Sequence, residues 1–103
     1  MPYSWNQEVS ITTAADTTDE IILSNAVRGV VHVRHDETLT TLNVHVTDEA
    51  GGTYEQLIDA SGNVVITVTA DQARMIPDDA FGAAAIKLVG DAAGTVYVSL
   101  VTD

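Results

Sequence analysis

The chain has 103 residues, no cysteine, and 15 acidic residues against four basic ones, for a net charge of -11. That length makes one domain with room for a modest core, and without cysteine there is neither a disulfide framework nor a thiolate metal site. The charge excludes nucleic acid as a partner, because a phosphate backbone is held by cations, and no apolar run approaches the ~18 residues that a membrane-spanning helix needs.

The N-terminal stretch MPYSWNQ lacks the basic and apolar regions of a secretory signal. It reads as a short arm, residues 1–7, carrying Tyr3 and Trp5. Valine, isoleucine and threonine dominate the rest of the chain, and these suit a pleated, half-buried surface. Strands are expected over residues 8–13 and 20–23. A third spans 27–35, where Val31 and Val33 alternate with His32 and Arg34, and a fourth spans 39–46, where Leu42, Val44 and Val46 oppose Asn43 and His45. The loop TDEAGG leads into a strand over 53–58, DASGN is a tight-turn signal, and the apolar run resumes over 63–69. ADQARMIPDDAFG then abandons two-residue alternation. Pro77 in its middle cannot donate to a central ladder, so the segment is a corner, with one helical turn expected at Asp71 to Met75. Phe81, just beyond it, is expected to plug the core. Strands over 83–89 and 95–102, joined by GDAAG, close the chain. In the last, Val96, Val98 and Leu100 make one face and Tyr97, Ser99 and Val101 the other. About eight short strands with turn signals between them predict an all-β fold: a single antiparallel β-sandwich, jelly-roll-like, over residues 1–103.

The three histidines all lie in VVHVRHDETLTTLNVHV, residues 30–46. If strands 27–35 and 39–46 pair antiparallel with Val33 opposite Val44, His32 meets His45, and two imidazoles begin a zinc or copper site. Such a site needs three or four ligands, and His35 points to the opposite face. A polar strand face with no metal is the preferred reading. Asp59, Ser61 and Asn63 have the spacing of the first ligands of a calcium loop, but Val64 and Ala70 stand where that loop wants glycine and glutamate. This is a hairpin turn, and weak divalent binding is left to the acidic pairs at 48–49 and 78–79. No serine has a nucleophile-elbow context, no glycine-rich phosphate loop occurs, and a chain this small has little room for a pocket beside its core. Neither catalysis nor a cofactor is expected. The acidic surface serves solubility, or a saline environment.

From Trp5 onward, DEAGGTYEQLIDASGNVV, ADQARMIPDDAFGAAAIKLVG and the closing TVYVSLV resemble, in that order, small β-sandwich virion structural proteins of tailed bacteriophages. The resemblance rests on turn and core residues. It implies a capsid decoration, or cement, protein that binds the major capsid protein on the outside of the phage head as a homotrimer, after synthesis in the host cytoplasm. Under it, Tyr3 and Trp5 are expected as anchors on a neighbour, aromatic rings being favoured at interfaces. The four cations, Arg28, Arg34, Arg74 and Lys87, are expected to pair with the partner. Two other readings stay open: a carbohydrate-binding jelly-roll module, and a tail, fibre or head–tail accessory protein.

Overall fold

The computed structural model of the chain describes residues 4–11, 18, 20–23, 26–33, 38–69 and 71–102. Its strands are β1 (Ser4–Ile11), β2 (Ile21–Ile22), β3 (Ala26–Val33), β4 (Thr41–Thr47), β5 (Glu55–Gln56), β6 (Ile58–Asp59), β7 (Gly62–Asn63), β8 (Val65–Thr67), β9 (Gln72–Met75), β10 (Ala85–Gly90) and β11 (Gly94–Thr102), with a 3-10 turn at Asp78–Gly82. One sheet runs β1-β11-β3-β9. The other runs β2-β10-β4-β5, and β8 also pairs with β4. Every one of these pairings is antiparallel. β5 and β8 lie end to end along β4, so together they fill one strand position, interrupted by the β6–β7 hairpin.

Counted that way there are eight positions, and first pairs with eighth, second with seventh, third with sixth and fourth with fifth, alternately in one sheet and the other. This is a jelly roll: one long antiparallel ribbon folded over itself into a two-layer sandwich. The alternation predicted for the last strand holds. Val96, Val98 and Leu100 are buried, and meet Val31 and Val33 of β3 on the inner face. Ile21, Leu42, Val44, Ile66, Ile86 and Leu88 come from the second sheet to meet them, and Ile76 and Ala80 close one end. Phe81 is half-buried and packs against this core, as expected.

Gly29 sits mid-strand in β3 because its neighbour needs the space. A Cβ there would lie 2.7 Å from Leu100 Cδ2 and 2.8 Å from the Ser99 carbonyl oxygen.

The structure departs from the sequence pattern in three places. Residues 4–7, read as part of an arm, are the first half of β1 and pair with Val98 to Val101. Asp71 to Met75 holds no helical turn: Gln72–Met75 is an edge strand along β3, and the turn falls after Pro77, which precedes it as N-cap. A proline suits that place, since its missing N–H is one the turn leaves unpaired anyway. Finally, β3 and β4 lie in different sheets.

Candidate functional site

The separation of β3 from β4 removes the condition on which His32 and His45 would have met. His32 lies between Tyr97 and Ala73 in the first sheet, and His45 between Lys87 and Gln56 in the second. The two imidazoles are on strands that never pair. His35 falls outside the described residues. The DASGN turn is a hairpin, as expected: β6 and β7 pair across it, the Ser61 N–H donates to Asp59 Oδ1 at 2.7 Å, and Gly62 takes a φ of 116° that a side chain would disfavour.

A groove of about 420 Å³ lies where the end of β4, strand β5 and the 3-10 turn converge. Val46, Leu57 and Ala83 form its floor; all three are partly buried and pack against the core. Asp48, Glu55 and Asp79 stand exposed around it, and Ile58, 65% exposed, projects from the hairpin beside it. The groove is therefore apolar below and anionic at the rim. Among the described residues no three histidine, aspartate or glutamate side chains gather closely enough to hold a metal ion. Chemically, the arrangement suits an apolar side chain flanked by positive charge.

Polar tethers fix its walls. Gln56 turns its amide inward and donates to the carbonyl oxygens of Leu57 at 2.9 Å, Val44 at 3.1 Å and Val64 at 3.4 Å, spanning the break between β5 and β8. The Thr47 hydroxyl donates to the Glu49 carbonyl at 2.9 Å and ties down the start of the next loop. Further along that loop, Glu20 Oε2 accepts from the Gly51 N–H at 2.7 Å and from the Tyr54 hydroxyl. Lys87 Nζ lies 4.8 Å from the centre of the Tyr54 ring, a cation–π distance. The Tyr54 hydroxyl and the Gly51 N–H hold the Glu20 carboxyl below its ordinary range. Desolvation, then the hydrogen bond to Glu20, pushes Tyr54 up.

A second surface lies on the outer face of the first sheet. A hollow of about 120 Å³ is lined by Arg28, Gly29, Val30, Met75, Ser99 and Val101. Met75 is 63% exposed on the edge strand, opposite Val30. The β3–β11 register slips by one residue at Val27, which is left exposed beside Arg28. A bulge of this kind re-aims a side chain.

Of the cations singled out from the sequence, Arg28 thus lies in this patch, while Arg74, in register with the buried Val31, is exposed on the other side of the edge strand. Lys87 belongs to the Tyr54 cluster on the other sheet, and Arg34 lies outside the described residues, as does Tyr3. Trp5 is in β1, in register with Leu100. Sequence reasoning singled out the acidic pairs at 48–49 and 78–79 but missed Glu55, Ile58 and Met75. Ile58 and Met75 left one signal, as large apolar residues standing inside turn-rich, polar segments.

No family model and no curated protein matches the sequence. The fold is similar to that in the crystal structure of the SPBc2 prophage-derived protein YomS, with a TM-score of 0.65, 13% identity, and coverage of 99% of this chain and 96% of that one. At that identity the likeness is one of fold.

Proposed function

We propose that this chain is a non-enzymatic structural protein of a tailed bacteriophage, a decoration protein that binds the major capsid protein on the head exterior as a homo-oligomer, a trimer. The observation that carries the reading is the fold likeness to a prophage-derived protein over nearly the full extent of both chains. It agrees with the resemblance of the turn and core motifs to small phage sandwich proteins. The site chemistry supports the same reading. The groove is lined by threonine hydroxyls, carboxylates and one amide over an apolar floor, a surface suited to a partner's side chain. A surface of net charge -11 suits the outside of a shell better than contact with the packaged genome. A protein that binds only the assembled lattice stabilises it by mass action.

The test is imaging of heads from the encoding phage, assembled with and without this chain. Extra density at regular positions on the outer shell, present only when the chain is supplied, is the expected result. Density confined to the tail or the neck, or none at all, overturns the capsid assignment.

A further inference from the structure

The groove and the outer-face patch are complementary to each other. One is an apolar-floored groove with three carboxylates around it and Ile58 beside it. The other is a projecting Met75 with Arg28, Val30 and Val101 beside it on the outer face of the first sheet. We propose that they are the two halves of one interface: Met75 of one copy enters the groove of the next, and Arg28 meets the carboxylates of Asp48, Glu55 and Asp79.

Charge decides the occupant. The chain holds four cations against 15 acidic residues, so most of its surface repels a second copy. Among the described residues only Arg28, Arg74 and Lys87 are positive, and Lys87 is already engaged over Tyr54. Arg74 meets the side chain of Gln72 at 3.5 Å, and neither arginine is paired with a carboxylate among the described residues. Arg74 points away from Met75, because it is in register with the buried Val31. Arg28 is thus the cation that stands beside an exposed apolar side chain, Met75, and the groove is an acidic surface with an apolar floor of matching kind. A two-fold contact of patch on patch is disfavoured, because it brings Arg28 of both copies together. Groove on groove brings six carboxylates together, three from each copy. Only the head-to-tail arrangement pairs opposite signs, and head-to-tail contacts close into rings or run on as chains. The trimer of the proposed function is one closed form.

The contact concerns the isolated chain, so its failure and that of capsid binding are separable: solution mass reads one and particle imaging the other. The experiment is sedimentation of the wild type, of Arg28→Ser/Met75→Ser, of Glu55→Gln/Asp79→Asn, and of the two variants mixed. All four positions are exposed, and the melting temperature of each variant checks that the fold survives. The wild type is expected to associate in about 20 mM salt and to weaken in about 500 mM, where the Debye length is only a few ångströms. Each variant alone should raise the dissociation constant at least about tenfold. Their mixture should give a species of two copies and none larger, because one intact groove meets one intact patch. A wild type monomeric at about 1 mM in low salt overturns the proposal. So does either variant associating like the wild type, or a mixture that stays monomeric.

Discussion

The β3–β11 pair at the middle of the first sheet and the β5–β8 position at the edge of the second are built on different principles. β11 runs in unbroken register with β1 and, up to its bulge, with β3, and its inner side chains are fully buried. Its order comes from apolar packing, which is non-directional and insensitive to pH. β5 and β8 are only two and three residues long, separated by a hairpin, and the break between them is bridged by one glutamine amide together with backbone hydrogen bonds among Val44, Leu57 and Val64. Here directed polar contacts add to the packing of Val64 and Ile66. A strand held by packing leaves its outer face free to vary. A strand held by tethers can open into a groove.

The largest effect expected from breaking this contrast is at Leu100, fully buried and filling the space over Gly29. Leu100→Ala should cost about 2–5 kcal/mol, since the backbone around Gly29 offers no side chain to collapse into the cavity. Denaturant unfolding measures it. A loss below about 1 kcal/mol would mean that the sandwich repacks and that β11 is not its rigid element.

What the sequence made legible divides along the same line. Val96, Val98 and Leu100, or Leu42 and Val44, announce a strand by period alone, because the inner face of a sandwich accepts only apolar side chains. Gln72 to Met75 announces nothing: all four are exposed, and the segment is a strand only because β3 offers it an edge. The hairpin at Ile58 to Asn63 was legible from its DASGN turn signal, but the breaks at Leu57 and Val64 on either side of it were not. His32 and His45 teach a further limit. Alternation says which residues share a face of one strand, but not which strand lies beside it, and in a jelly roll the third and fourth positions fall in opposite sheets. The groove was out of reach for the same reason. Asp48 and Asp79 are visible as loop acids, but their meeting with Glu55 depends on the corner after Pro77 folding back beside β5.

The tethers give smaller and more local effects. Gln56→Ala should cost about 1 kcal/mol, an ordinary net value for lost hydrogen bonds. No carbonyl is orphaned by it: Val44 O still accepts from Leu57 N, Leu57 O from Val64 N, and Val64 O from Val44 N. The mark of the change is therefore where it acts. Amide exchange should quicken at Leu57 and Val64 while Val98 and Leu100 keep their protection. Equal quickening across both sheets would show that the two regions unfold as one unit and that the contrast between them is only geometric.

The smallest effect is the pH response of the tether at Glu20. Its carboxyl is held below 4.5 in the folded chain, chiefly by the Tyr54 hydroxyl and then by the Gly51 N–H. A carboxyl whose folded value lies below its unfolded one contributes stability that is present above the unfolded value and lost as pH falls through the folded one. Asp91 behaves in the same way below 3.8, held down by the Thr40 hydroxyl and the backbone N–H groups of Thr40 and Thr41. The acid limb of the stability curve should therefore begin below about pH 4.5 and steepen as Asp91 joins it. Glu20→Gln and Tyr54→Phe should each flatten the upper part of that limb. The first removes the titrating group, and the second removes the largest cause of its shift. Leu100→Ala should lower the whole curve without changing its slope, because nothing it touches titrates. Denaturant midpoints at a series of pH values separate the two behaviours. An acid slope unchanged by both loop variants would mean that Glu20 spends its time in water rather than on Tyr54, and that the loop beside the groove is held by its backbone alone.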